Sequence, residues 1–526
     1  MVWMSTRTTR RTVVSVGLLV AAALAVGCTS SSSGGPAPSN IVFPGAATPS
    51  GSWPYPNGDV ANTRDAIDST ITSANVSKLR EAWAFKLTGT PAAGVSHTGA
   101  LAMGPVVVNG VVYVQDLDCN VYALDLATGK LKWEYQVNVP EQTGPGPNGV
   151  AVANGVVYGD TPSTVFALSA ATGKTIWVDS SLLSSGEGTF EIQPQVTGGR
   201  VYLSSAYGSG PGGGVAMALN AATGKQLWSF NTLTGADKGV QALGLGAGGA
   251  WQTPLVSGDG SVTFGIGNPY QTAAAALAHP SAQLYTDSDV NLDAATGQLR
   301  WYYQGMPNDF KDWDMQASPI SADVNGVPAV IGSGKLGIVF AMKATTGALL
   351  WKTPVGKHNG HDDDSLLMLE HKSTLKAPYT IAPGELGGVL TNMAVAGDSV
   401  YLATIDDSMT WTSLASPVPA KSGAPTGEVE ALSLATGEVE WHTKVPTLPL
   451  GAATVSNDLV FTTLFDGTLI ALDRNTGAIV YRLKLPTTTN APIAIAGNAI
   501  IVAAGNGQTS SKAATGTPQV VAYTVP

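Results

Sequence analysis

The stretch Ala123-Leu-Asp-Leu-Ala-Thr-Gly-Lys-Leu-Lys-Trp133 decides the fold, because the chain repeats it. Further copies are ALSAATGKTIW (Ala167 to Trp177), ALNAATGKQLW (Ala218 to Trp228), NLDAATGQLRW (Asn291 to Trp301), AMKATTGALLW (Ala341 to Trp351), ALSLATGEVEW (Ala431 to Trp441) and ALDRNTGAIVY (Ala471 to Tyr481). With the first that makes seven, and Trp83 in LREAWAF stands at an eighth position. Each copy follows a Val/Tyr run such as Gly110-Val-Val-Tyr-Val114 and opens on another such as Val121-Tyr-Ala-Leu124. Runs of β-branched and aromatic residues bounded by glycine turns read as short antiparallel strands. The glycine after each threonine supplies the backbone freedom of a tight connection. One such sheet cannot cover both of its faces, but sheets stacked radially cover each other, which is the logic of a β-propeller. A tryptophan at a fixed offset from every turn is then a packing post between neighbouring sheets, with an indole N–H that needs a partner.

The turn threonines fall at 128, 172, 223, 296, 346, 436 and 476. The steps from 223 to 296 and from 346 to 436 are too long for one four-stranded unit, and insertions of that kind carry function. The first step ends just before Pro307-Asn-Asp-Phe-Lys-Asp-Trp-Asp-Met-Gln-Ala-Ser-Pro319, which places Asp309, Asp312 and Asp314 within six residues. The second brings Lys357-His-Asn-Gly-His-Asp-Asp-Asp364. His358, His361 and the three aspartates read as a solvated loop, with a divalent-ion site or a substrate entrance as the alternative. His97 reads as a surface or capping residue, and Cys119 as a small buried one without the charged surroundings of a reactive thiol.

The 526 residues are 44% hydrophobic and only 12% charged, with 62 glycines and 12 tryptophans, which fits a large turn-rich globular body. A net charge of -10 excludes nucleic acid as a partner, since that needs a basic face. Arg7, Arg10 and Arg11 precede an apolar run from Thr12 to Gly27, shorter than the roughly 20 residues of a membrane span, so residues 1–28 read as an export signal. Cys28 after small residues resembles a bacterial lipobox, although Leu24 stands four before it rather than three. This gives an exported protein anchored to the outer face of the cell membrane by a lipid on Cys28, with ordinary signal cleavage or a retained anchor as alternatives. Residues 29–52, rich in Ser, Gly and Pro, read as a tether, and 53–526 as the propeller domain. No CxxCH is present, so no covalent c-type haem is encoded.

The repeat, with Ala61-Asn-Thr-Arg64 near its start, resembles that of the eight-bladed quinoprotein alcohol dehydrogenases, which use pyrroloquinoline quinone (PQQ). Gly248-Gly-Ala-Trp251, Phe264-Gly-Ile-Gly-Asn-Pro269, Leu284-Tyr-Thr-Asp-Ser288 and Trp301-Tyr-Tyr-Gln304 run in the family's order into PNDFKDWD. The resemblance implies an all-β, eight-bladed propeller of four-stranded antiparallel blades. It implies Trp251 as the floor for the quinone ring, Asn268 as a metal ligand, Asp312 as catalytic base and metal neighbour, and Lys335 as the cation that reaches the quinone carbonyl. Asp314 resembles the extra carboxylate of the lanthanide-using relatives, so Ca2+ or a lanthanide is the implied metal. The types suit alcohol oxidation, which needs a proton acceptor and a polarised carbonyl. Asp309 reads as structural.

The chain departs from the family pattern in the segment Thr143 to Ala151, where the adjacent cysteines are missing and Asn148 stands where an arginine would meet a cofactor carboxylate. Asn308 replaces the usual His and Lys311 the usual Trp, and Ala206 to Gly214 lacks the expected metal-binding glutamate. Two readings follow. One is an exported quinoprotein that oxidises an alcohol and passes electrons to a separate acceptor. The other is a non-catalytic propeller lipoprotein that serves as a binding or assembly scaffold.

Overall fold

The computed structural model describes residues 51–88, 101–137, 148–206, 213–233, 247–505 and 517–526. The signal, most of the tether, His97 and the segments 138–147 and 207–212 lie outside these. In the first repeat, strand Val121–Asp125 turns through Thr128-Gly129 into strand Leu131–Tyr135, with a register shift between Ala123 and Leu124. The same shift recurs after Ala167, Ala218, Asn291, Ala341, Ala431 and Ala471. One extra residue there bends the strand and increases its twist. Two more strands precede each copy, so the first unit is the meander Val106–Val108, Val111–Gln115, Val121–Asp125 and Leu131–Tyr135.

Among the described residues the chain forms seven four-stranded sheets, one five-stranded and one three-stranded, and the fold is a β-propeller. The first strand of the body, Arg80–Lys86, pairs antiparallel with the last, Gln519–Thr524, so one sheet is built from both ends of the body. That pairing removes an open edge, the usual weakness of a β protein.

The repeat's chemistry is visible between sheets. Each indole N–H donates to a backbone carbonyl in the following repeat: Trp133 to Ala170 at 2.8 Å, Trp301 to Ala344 at 2.7 Å and Trp441 to Arg474 at 3.0 Å. The ring lies flat on the glycine of that repeat's turn. A Cβ added at Gly173, Gly297, Gly347 or Gly437 would stand 2.6 Å from the ring, and all four have φ between +69° and +76°. The glycine is therefore fixed twice, by its left-handed backbone and by the indole above it.

The segment Trp53 to Ala66 ties several sheets together. Trp53 pairs with Val107, Asn62 donates to Pro319 O at 3.0 Å, and Val395 N donates to Thr63 O at 2.9 Å. Arg64, fully buried, donates to Ala453 O, Ile493 O, Thr454 Oγ1 and Asn57 Oδ1 at 2.6 to 3.0 Å. Burial pulls its guanidinium down to about 9.

The two long insertions carry the irregular pieces. The first contains the short helix Ala273–Ala278 and the second the helix Asp364–Leu369. The three-stranded sheet of Tyr379–Ile381, Met409–Trp411 and Lys421–Ser422 also belongs to the second. In a four-strand meander, the links between strands two and three and between successive sheets emerge at one end, and the Thr-Gly links at the other. The site lies at the first of these ends.

Candidate active site

Three neighbouring links supply the polar residues of the site. Asn268 follows strand Ser261–Ile266, and Lys335 lies between Val327–Gly332 and Ile338–Lys343. Asp312 and Asp314 stand in the link from Leu299–Gln304 to Ile320–Val324. That link is shaped by Asp309, whose two carboxylate oxygens accept the backbone N–H groups of Lys311 at 3.1 Å and Trp313 at 3.0 Å. Asp312, bracketed between them, adopts φ 63°, a conformation that costs a non-glycine residue about 1 to 3 kcal/mol.

Lys335 Nζ stands 2.7 Å from Asp312 Oδ2 and 2.6 Å from Asp314 Oδ2. Asn268 donates its backbone N–H to Asp314 Oδ1 at 2.8 Å and its side-chain amide to Asp312 Oδ1 at 2.6 Å. Asn268 Oδ1 is buried without a hydrogen-bond partner among the described residues. Gly267 brings the Trp251 ring to the same place, since a Cβ there would lie 2.7 Å from both that ring and Asp314 Oδ1. The structure thus brings together Trp251, Asn268, Asp312, Asp314 and Lys335 from four separate links, Trp251 standing just before strand Leu255–Val256.

The carboxylate of Asp314 is fully buried, whereas the Asp312 side chain keeps 22% of its surface open. Burial pushes the Asp312 carboxyl up to about 8, with Lys335 opposing and Asp314 adding to the rise. Burial alone would pull the Lys335 ammonium down, but Asp312 and Asp314 outweigh it and hold the charge above its ordinary range. One cation shared by two carboxylates leaves the centre anionic once both are ionised.

Three residues of the site escape motif reading. Asp287, inside the Leu284-Tyr-Thr-Asp-Ser288 stretch, is fully buried, and neither of its oxygens has a hydrogen-bond partner among the described residues. Burial pushes its carboxyl well above the ordinary range, and Asp309, Asp314 and Asp312 push it further. Glu385, half-buried in the second insertion, is raised by burial while Lys335 pulls it down. Lys311 buries its ammonium 3.9 Å over the Trp313 ring, and burial brings it down to about 8. Only Lys311 left a trace in the sequence, as a cation in the place of an aromatic.

Asn148 is not joined to this set. Its side-chain amide donates to Asp160 Oδ1 at 3.0 Å, and Asp160 is fully buried with a carboxyl pushed well above its ordinary range by burial. An amide already given to a buried carboxyl group is a poor substitute for an arginine meeting an anion. In the loop Lys357 to Asp364, His358 Nδ1 and His361 Nδ1 each pair at 2.8 Å with an aspartate, Asp362 and Asp364. Among the described residues no group of three His, Cys, Asp or Glu side chains is placed to hold a metal. Cys119 is buried and free, and burial pushes its thiol well up.

Residues 53–153 and 194–359 match the family model described as glucose/ethanol/alcohol dehydrogenase, beta-propeller domain (PQQ), and residues 425–519 match that of the outer membrane protein assembly factor BamB. The quinohemoprotein alcohol dehydrogenase of Comamonas testosteroni is 28% identical over 59% of this chain, a match that spans about half, 48%, of that relative. The quinoprotein alcohol dehydrogenase PedH of Pseudomonas putida is 25% identical over 78% of each chain. The methanol dehydrogenase [cytochrome c] subunit 1 of Methylorubrum extorquens is 26% identical over 83% of this chain and 80% of its own. Among solved structures, the Comamonas testosteroni enzyme superposes with a TM-score of 0.75 at 22% identity, covering 90% of this chain and 80% of its own. A europium-containing methanol dehydrogenase gives 0.73 at 20% identity, covering 90% and 98%. With just over half of its length matched by the PQQ propeller model, the chain belongs to the PQQ-dependent alcohol dehydrogenase-like β-propeller family.

Proposed function

We propose that this chain is a quinone-dependent oxidoreductase that removes a hydride equivalent and a proton from an alcohol. The observation that carries the reading is the Lys335 ammonium held 2.7 and 2.6 Å from the two carboxylates, beside the Trp251 floor. Asp312, the more open of the two carboxylates, takes the hydroxyl proton once ionised. Lys335 keeps that carboxylate oriented and offers its third N–H donor toward an electron-rich oxygen in front of it. Asn268 fixes both aspartates from the other side, and Asp314, fully buried, secures the lysine.

The residues fit a quinone ring on Trp251 beside Lys335, and a bound PQQ supplies there the electrophilic carbonyl that accepts the alcohol's electron pair. The buried, unpartnered Asn268 Oδ1, with the oxygens of Asp312 and Asp314, forms an all-oxygen donor set of the kind that suits a hard cation, Ca2+ or a lanthanide. The set is two carboxylates and one amide, so Asp312, Asp314 and Asn268 are the residues that would hold it. A separate acceptor would take up the electrons. The arginine-led apolar segment before Cys28 supports an exported, lipid-anchored protein.

The scaffold reading draws support from the match of residues 425–519 to the BamB model and from the engaged Asn148. Dye-linked ethanol oxidation by the purified protein loaded with PQQ and Ca2+ or La3+ separates the two. Asp312→Ala is expected to lower turnover by about 10²- to 10⁴-fold. Full activity in that variant would remove Asp312 from the mechanism, and no activity in the parent with either metal favours the scaffold.

A further inference from the structure

The loop Lys357 to Asp364 touches both catalytic turns. On one side the Lys311 ammonium donates to the His361 carbonyl at 2.5 Å, from the residue next to Asp312. Lys311 is 1% exposed, and no carboxylate stands within ion-pair distance of it among the described residues. Its seat is the Trp313 ring at 3.9 Å, the Phe310 ring at 5.3 Å and that one carbonyl. On the other side the His358 ring, through Nε2, meets Gly337 O at 2.9 Å and Val355 O at 3.1 Å, while Nδ1 meets Asp362. Gly337 closes the turn that carries Lys335, its N–H donating to Gly334 O at 3.0 Å.

The loop is anchored in turn. Asn359 donates to Thr380 O at 2.8 Å and accepts from Ala382 N at 2.9 Å, and His361 Nδ1 meets Asp364 at the start of helix Asp364–Leu369. Trp313 completes the link, its indole donating to Pro383 O at 3.2 Å. A buried ammonium satisfied by one carbonyl ties that carbonyl firmly, because the alternative is an unsolvated charge. A ring bonded at both nitrogens is similarly fixed in place.

We propose that the segment Lys357 to Asp364 is a positioning clamp, with Lys311 and His358 as positioning residues that hold the Asp312 turn and the Lys335 turn at their working separation. The inference rests on the proposed role of Asp312 and Lys335, and it gives the second insertion a task that neither a solvated loop nor a metal site describes. Neither residue touches the reacting atoms. Their effect is on geometry, so they alter the rate of the chemical step and leave ground-state affinity alone.

Two variants of the full protein test this. Lys311→Met keeps the buried stem and removes the bond to His361, and His358→Phe keeps a ring and removes the bond to Gly337. With PQQ, Ca2+ and ethanol, each is expected to lower kcat on the order of 10²-fold with KM within about twofold of the parent. Amide hydrogen exchange without cofactor is expected to accelerate at residues 311–314 in the first and at 334–337 in the second, while the blade strands stay protected. Parent kcat together with unchanged exchange at these turns overturns the clamp. Global loss of protection in Lys311→Met leaves the decision to His358→Phe, which keeps an aromatic ring in a seat that is 15% open. If the parent itself shows no turnover, the exchange comparison still decides the clamp, and the failure then belongs to the proposed function.

Discussion

Replacing Gly347 by alanine measures the contact that the repeat encodes. Gly347 sits at φ +69°, and a Cβ there would stand 2.6 Å from the Trp301 ring. Gly110 has nearly the same backbone, φ +73°, with nothing within 4 Å of the added carbon. Both substitutions place an L-residue in the left-handed region, at about 1 to 2 kcal/mol. Only Gly347→Ala also displaces an indole. Overpacking adds about 1 to 3 kcal/mol, and the lost bond from Trp301 to Ala344 O, 2.7 Å long, strands a buried donor at about 1 to 3 kcal/mol more. The expected difference between the variants is therefore at least about 2 kcal/mol. Urea unfolding, followed in parallel by tryptophan fluorescence and circular dichroism, reads that difference directly. If Gly347→Ala falls within about 0.5 kcal/mol of Gly110→Ala, near the scatter of ordinary surface substitutions, the glycine is not held by the ring and the docking account fails.

Arg64→Met removes a buried cation from four acceptors, leaving the Ala453 and Ile493 carbonyls to find new partners; a loss of about 4 kcal/mol or more is expected, and less than about 1 kcal/mol would contradict the tie between sheets. Asp116 at about 7, Glu430 at about 7 and Asp65 at about 6 are all raised above their unfolded values by burial. The folded state therefore binds protons that the unfolded state releases, so stability is greatest below the unfolded values near pH 4 and falls as pH rises through 6 to 7. Urea midpoints that rise between pH 5 and 8 would contradict this, and Asp287→Asn is expected to raise the midpoint at pH 8 by removing an unpartnered buried acid. In the protein without metal, burial holds Asp312 near 8, so its carboxyl is expected to ionise only as pH rises through that value, read as the difference in proton titration between the parent and Asp312→Asn. A carboxyl already ionised at pH 6 without metal would contradict that placement.

The blade pattern was legible because one contact, indole on glycine, repeats with fixed spacing, and each copy reports the same local requirement. The convergence of Trp251, Asn268, Asp312, Asp314 and Lys335 followed from the family's order of motifs, and the links at one end of the meander explain why residues so far apart in sequence meet. The environment of those residues was not legible. Asp287 looks like any strand-edge aspartate until its two neighbouring links bury it. Arg64 sits in a short Asn-Thr-Arg run whose partners lie 389 and 429 residues away, at Ala453 and Ile493. Lys311 signalled a departure, but its destination, the carbonyl of His361, depends on how the second insertion folds back. Asn148 stands in a loop where the family carries an arginine, and its amide's partner, Asp160 on strand Val156–Thr161, is not signalled by that position.

The central claim is that the Asp312–Lys335 centre works on a quinone seated over Trp251. Titration of the purified protein with PQQ in the presence of Ca2+ or La3+, followed by quenching of tryptophan fluorescence and by the quinone's own absorbance, tests it most directly. Saturable one-to-one binding is expected, weakened at least tenfold by Lys335→Met, and Asp312→Asn is expected to lower turnover by about 10²- to 10⁴-fold at saturating PQQ and metal. Binding that ignores Lys335, or an absence of saturable binding with either metal, would contradict it.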